Sequence, residues 1–161
     1  MSGLARALSA ARRVRGLPGP DRLLLAEAAT ALGLARLAVT LLPFRVVARA
    51  LGREGPVPDG LDGSAGPADR QAGAPGRVGW AVVAAARVVP WPATCLVQTL
   101  AASRMLALRR VGTVAVLGVD RDGGELRAHA WLKAGPVIVT GAPVHAGFTP
   151  VAVFASGGTR T

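Results

Sequence analysis

Residues 94–119, TCLVQTLAASRMLALRRVGTVAVLGV, contain the change of hydrophobic period that decides the fold. Thr94 is a favoured N-cap residue, and after Cys95 the apolar side chains recur at helical spacing as far as Val111. Gly112 then supplies a C-cap. The residues beyond it are mostly β-branched and form a continuous apolar run, which is typical of a buried strand. The stretch therefore predicts a helix that leads directly into a strand.

Further strands are predicted on the C-terminal side of this stretch. The run 120–125, DRDGGE, is rich in turn-forming residues, and Ala134-Gly135 is read as a two-residue hairpin loop. The predicted strands are residues 126–133 (LRAHAWLK), 136–140 (PVIVT) and a short one near 151–154. The arrangement is a helix followed by an antiparallel meander.

Helices are predicted on the N-terminal side. Asp21 is a natural N-cap for an apolar helix that Pro43 interrupts, and residues 44–51 form a second helix that Gly52 closes. Residues 78–89 form another helix that stops before Pro90. The Gly/Pro-rich stretch between these helices is too long and too polar to belong to a core. The predicted class is α+β, with a helical segment at 1–52, a flexible linker at 53–77 and a core at 78–161.

Composition restricts the possible functions. The net charge is +10, but every basic residue except Lys133 is Arg, aromatic residues are 4%, and Tyr is absent. Stacking platforms for nucleic acid are therefore scarce, and no specific nucleic-acid partner is expected. The single Cys excludes a disulfide framework, and with two His the chain is poorly supplied for a metal. Charged residues interrupt the apolar stretch 23–51, so we expect no transmembrane segment and a cytoplasmic protein.

Two residues suggest nucleophilic chemistry. Cys95 stands in the first turn of its helix, where free backbone N–H groups and the helix dipole favour a thiolate and can form half of an oxyanion hole. His129 alternates with Ala128 and Ala130, which places it on the face shared by Arg127 and Lys133. If strand 126–133 packs beside the helix, Cys95 and His129 form a Cys–His dyad. An inert buried Cys and an exposed surface His remain the alternatives.

The group that would orient the imidazole is less evident. No Asp, Glu, Asn or Gln follows His129, and the acids before it lie in the turn at 120–125. With a loop at Ala134-Gly135, the pairing places Thr140 beside His129 on one face. Gly141 would then belong to the opposite face. Thr140 is thus the candidate orienter, and the alternative is that it is an ordinary strand residue.

The sequence resembles the transglutaminase-like cysteine peptidases of lasso-peptide biosynthesis. The resemblance is carried by the PW–TCL motif at 90–96, the AHAW motif at 128–131 and GPVIVTG at 135–141, with the helical residues 22–52 in front. That family uses a Cys–His–Asp triad, and Cys95 and His129 match its first two members. Its Asp falls at Thr140 or Gly141, where this chain departs from the family.

The resemblance implies a papain/transglutaminase-like core in which the Cys-bearing helix packs on an antiparallel sheet. It implies removal of the leader from a ribosomally made precursor peptide, without a cofactor, in the split form that lacks a leader-recognition domain. The implied partners are the precursor peptide, a separate leader-recognition protein and an ATP-dependent cyclase. Two alternatives stay open: a non-catalytic leader-binding scaffold, favoured by the missing carboxylate, and a transglutaminase-like amidase or acyltransferase.

Overall fold

The computed structural model describes residues 16–56, 73–122, 124–142 and 147–157. In chain order the described elements are α1 (Gly19–Leu41), α2 (Phe44–Leu51), β1 (Arg53–Gly55), α3 (Gly73–Ala86), α4 (Cys95–Leu108), β2 (Thr113–Asp122), β3 (Glu125–Ala134), β4 (Val137–Thr140) and β5 (Thr149–Ser156). Helices precede most of the sheet and pack on it, so the predicted α+β class is confirmed.

The sheet has five antiparallel strands in the order β1-β5-β2-β3-β4. Strands β2, β3 and β4 form the predicted meander, and β5 returns to pair with the other edge of β2. The first strand was not anticipated, because β1 lies at the start of the stretch predicted as linker. Gly52 permits this pairing, since its φ is +139° and a Cβ there would collide with the carbonyl of Ala155.

The two faces of the sheet have different partners. One face carries Ala115, Leu132 and Phe154, which join the core formed with the four helices. The other face carries a smaller apolar cluster of Val116, Trp131 and Val153, with Phe148 packed against it. Helix α4 lies inside the larger core and is buried on most sides, more widely than a single apolar stripe would require.

The C-terminal end of α4 differs in detail from the prediction. The helix ends at Leu108, and Arg110 adopts the left-handed conformation (φ 57°) that the prediction gave to Gly112. The N–H of Val111 donates to the carbonyl of Leu106 at 3.0 Å, the bond pattern of a Schellman motif. Gly112 serves another purpose: a Cβ there would lie 2.9 Å from the carbonyl oxygen of Gly157. Its small size allows two backbones to approach.

Helix α1 packs through a stripe of small and apolar residues, Leu24, Ala28, Leu32 and Ala35. It begins at Gly19, two residues before the predicted N-cap. Asp21 instead lies in the first turn, where Arg77 of α3 approaches its carboxylate at 3.3 Å. By length and composition α1 also satisfies the criterion for a membrane-spanning helix, which the charged residues in its sequence led us not to expect.

The helices and the sheet share one hydrophobic core. Leu32 of α1, Leu51 of α2 and Val82 of α3 belong to the same buried cluster as Leu106 of α4 and Phe154 of β5. The predicted helical segment 1–52 therefore packs, from residue 16 onward, as part of the same unit as residues 78–157. The predicted linker contributes β1 and the first turn of α3, and its residues 57–72 lie outside the described part.

Candidate active site

Cys95 is the first residue of α4, as the sequence predicts, and its side chain is partly accessible. Thr94 occupies the N-cap position with extended backbone angles (φ −63°, ψ 167°), but its hydroxyl makes no capping hydrogen bond. The backbone N–H groups of the first turn are therefore not taken up by the cap side chain. Such groups can stabilise negative charge on an oxygen that develops next to the Cys95 sulfur.

The segment that leads into Cys95 is held by two contacts. The Nε2 amide of Gln98 donates to the carbonyl of Ala93 at 2.8 Å, which ties the first turn of α4 back to the loop before it. The ring of Trp91 lies over α1 at Gly33, where a Cβ would be 3.4 Å from Cζ2 of the indole. The two contacts place the start of α4 relative to both its own loop and the helical layer.

His129 lies in β3, is half-buried, and is held by a backbone carbonyl. Its Nε2 lies 2.9 Å from the carbonyl oxygen of Gly141. A carbonyl only accepts, so Nε2 carries the proton and Nδ1 is the basic nitrogen of the neutral ring. The ring of Trp131 is stacked at a centroid distance of 6.1 Å, and that of Phe148 lies at 5.1 Å. Tautomer and ring orientation are thus both restrained.

Gly141 can take this role because it has no side chain. Its φ is +93°, and a Cβ there would collide with the side chain of Trp131. In the sequence Gly141 stands out only as one of the two positions where the family's Asp falls, and the role of its carbonyl is not predicted. A backbone carbonyl leaves no mark in the sequence, so no signal for this role was available.

The predicted pairing of Thr140 with His129 is wrong. The hairpin loop is Gly135-Pro136 rather than Ala134-Gly135, and a bulge between Leu132 and Lys133 adds a second shift. Thr140 consequently pairs with Leu132. Its side chain is buried, with its hydroxyl 3.4 Å from that of Thr99 in α4. Thr140 therefore contacts the helical layer and does not orient His129.

Cys95 and His129, the two candidate members of the dyad, lie on different sides of the sheet. His129 shares a sheet face with Trp131, the face opposite the helices, whereas Cys95 begins a helix of the layer on the other face. Within the described part of the chain, Cys95 and His129 form no hydrogen bond with each other. The predicted alternation in β3 is confirmed, but the face of His129 is apolar at its centre because Trp131 is buried there.

The remaining candidates do not enter this arrangement. Asp120 pairs with Arg127 at 2.8 Å across the β2–β3 hairpin, as expected for a solvated hairpin end. Glu125 is exposed at the same end of the hairpin. His145 and the side chain of Asp122 lie outside the described residues. Across those residues no group of three His, Cys, Asp or Glu side chains is placed to hold a metal ion.

A groove adjoins the backbone that holds His129. It encloses about 270 Å³ between α3 and β4 and is lined by Trp80 and Arg87 on one side and by Thr140, Gly141 and Ala142 on the other. Strand β4 is an edge strand. An extended peptide could enter this groove beside the edge and approach the residue whose carbonyl restrains His129.

The Cys-bearing helix and the other helices pack on one face of an antiparallel sheet that carries His129, which is a fold of the papain-like or transglutaminase-like class. Comparison with protein families agrees, since the model of the transglutaminase-like superfamily matches residues 38–153. The chain belongs to the transglutaminase-like superfamily. Members of this superfamily are typically cysteine peptidases or transferases. No curated protein and no solved structure gives a significant match.

Proposed function

We propose that the protein is a cysteine peptidase that removes the leader from a ribosomally made lasso precursor peptide before macrocyclisation. The observation that carries the proposal is the position of Cys95 as the first residue of α4. The preceding N-cap residue, Thr94, makes no side-chain hydrogen bond to the N–H groups of the first turn. The membership of a superfamily of thiol enzymes supports the reaction class. The PW–TCL and AHAW motifs support the narrower substrate.

In this mechanism the Cys95 sulfur attacks the carbonyl carbon at the junction of leader and core. The N–H groups of the first turn of α4 stabilise the oxyanion. His129 accepts the thiol proton on Nδ1, since Nε2 is engaged by Gly141, and then donates it to the leaving amine. Water completes the turnover by hydrolysing the acyl-enzyme. The step requires Cys95 and His129 to lie within hydrogen-bond range in the active enzyme, an arrangement that differs from the described one, in which the two residues belong to opposite sides of the sheet.

The same proposal includes the partners that the resemblance implies. A separate leader-recognition protein presents the precursor peptide, an ATP-dependent cyclase uses the released core, and the three act in the cytoplasm. Tethering of the substrate by the recognition protein raises its effective concentration at Cys95. Cleavage by the chain alone should therefore be slow, and addition of the recognition protein should accelerate it.

The decisive experiment compares Cys95→Ala, His129→Ala and His145→Ala with wild type on a leader–core peptide, with the recognition protein present. The first two should lose cleavage by about a hundredfold or more and to a similar extent, because members of a catalytic unit act together. Their thermal unfolding should stay close to wild type. Cleavage by Cys95→Ala within tenfold of wild type, or a larger loss from His145→Ala, would contradict the assignment.

A second candidate is a leader-binding scaffold without catalytic activity. It is favoured by one observation: in the described structure the thiol and the imidazole belong to layers on opposite faces of the sheet. Iodoacetamide labelling at neutral pH separates the two candidates. A catalytic Cys95 should react faster than a small-molecule thiol and should slow at least tenfold in His129→Ala. Equal rates in wild type and variant, without cleavage of the peptide, would establish the scaffold.

A further inference from the structure

Apolar side chains are concentrated at the corner where α1 turns into α2. All six residues from 41 to 46 are exposed, and they include Leu41, Leu42 and Phe44, with exposed fractions of 73%, 45% and 54%. Leu37, one turn earlier on α1, extends the surface and is 56% exposed. We name these four residues the apolar corner. Apolar surface that is contiguous and exposed marks an interaction site more often than isolated exposed leucines do.

The shape of the corner is that of a projection. Pro43 separates α1 from α2, and the exposed apolar side chains lie on both sides of this break. Val47 and Leu51 of α2 are buried in the core, and Ala48 packs against it. The corner therefore offers apolar side chains that can insert into a partner.

Positive charge flanks the corner. Arg45 and Arg49 of α2 are exposed, and no ion pair is found for either among the described residues. The acidic residues of α1 lie in its N-terminal half, away from the corner, and each forms an ion pair with an arginine. Asp21 pairs with Arg77, and Glu27 pairs with Arg109 through two hydrogen bonds of 2.7 Å. The potential around the corner is thus set by arginine.

We propose that the apolar corner docks the protein on the surface of an anionic lipid membrane. Leu41, Leu42 and Phe44 enter the boundary between headgroups and acyl chains, while Arg45 and Arg49 remain at the level of the phosphates. Exposed apolar side chains can insert between the acyl chains of a membrane, and the neighbouring arginines can bind its anionic headgroups. This inference is independent of the proposed peptidase activity.

The test is sedimentation with vesicles of phosphatidylcholine mixed with phosphatidylglycerol, and with vesicles of phosphatidylcholine alone. Wild type should bind the mixed vesicles and bind the neutral ones much more weakly. The double variant Leu41→Glu/Phe44→Glu should lose at least tenfold in binding, because two charges replace the inserting side chains. Arg45→Gln/Arg49→Gln should weaken binding about fivefold per arginine, and added salt should weaken binding by the wild type.

The matched control is Leu108→Glu/Leu126→Glu, which places the same charges at leucines that are 73% and 67% exposed elsewhere. This control should bind like wild type, and all variants should unfold at similar temperatures. Absence of vesicle binding by wild type, or equal binding by the corner variant and the control, would overturn the proposal. So would a corner variant that binds vesicles normally but loses self-association or binding to the recognition protein, because the corner would then be a protein interface.

Discussion

At the scale of single residues, Gly141 combines a positive φ, close contact with Trp131 and the carbonyl that holds His129. We predict that Gly141→Ala destabilises the protein by about 2–4 kcal/mol, because the new Cβ meets Trp131 in a strained backbone conformation. Cleavage should fall more than tenfold, since displacement of the carbonyl releases the His129 ring. Thermal unfolding and a peptide-cleavage assay measure the two effects.

The neighbouring residue supplies the control. Thr140→Val removes a hydroxyl that contacts Thr99 and not His129, so cleavage should change less than tenfold and stability by about 1 kcal/mol. The pH dependence of cleavage should be unchanged in Thr140→Val and altered in Gly141→Ala. If both variants lose activity equally with the same pH profile, then the Gly141 carbonyl has no positioning role.

At the scale of elements, the ion pair of Glu27 and Arg109 joins α1 to the end of α4. Hydrogen bonds from Arg109 lower the pKa of Glu27 below its usual 4.5, against the opposing effect of partial burial. A lowered carboxyl pKa contributes stability above the unfolded pKa, and that stability is lost as the pH falls through the folded pKa. Both side chains are about one-third exposed, so the contribution should be only about 0.5–1 kcal/mol.

Glu27→Gln measures this contribution. The variant should unfold at a lower temperature than wild type at pH 7, and the difference should disappear as the pH is taken well below 4.5, where wild-type Glu27 is also neutral. Thermal unfolding across the pH range checks the prediction. A difference that stays constant down to acid pH would show that Gln disturbs packing and that charge is not the cause.

Another contact between elements is that of Trp91 with α1 at Gly33. The Nε1 atom of Trp91 is buried and has no hydrogen-bond partner among the described residues. Trp91→Phe should therefore cost less than about 1 kcal/mol, whereas Trp91→Ala should cost about 2 kcal/mol and slow labelling or cleavage at Cys95 by loosening its loop. Urea unfolding distinguishes the variants. Equal destabilisation by Phe and Ala would mean that the phenyl ring cannot replace the indole atoms that contact α1 at Gly33.

At the scale of the whole molecule, one core includes the N-terminal helices and the sheet. Removal of residues 1–72 would expose the surfaces against which Leu32, Val47 and Leu51 pack. We predict that residues 73–161 alone do not unfold cooperatively, because the remaining helices lose one side of their core. Circular dichroism during urea titration, with the full chain as reference, provides the measurement. A cooperative transition of the fragment would instead support an autonomous C-terminal domain.

The sequence alone determined the features that depend on neighbours in the chain. Helix α2 has the predicted bounds, 44–51, because Pro43 and Gly52 act locally to begin and end it. Cys95 begins α4 as predicted for the same reason, since Thr94 and the prolines before it exclude an earlier start. The alternation that places His129 and Trp131 on one face of β3 likewise follows from the period of a strand.

Only the tertiary structure decided the features that depend on contacts between distant segments. The register between β3 and β4 is set by the position of the hairpin loop, which lies one residue later than predicted, and by a bulge. Either of the two is enough to move Thr140 away from His129. The carbonyl of Gly141 has no side-chain signature, so its bond to His129 follows from the fold alone. Packing of the whole chain determines which face of the sheet the helices cover. The sequence could therefore suggest Cys95 and His129 as candidates but could not give their relative position.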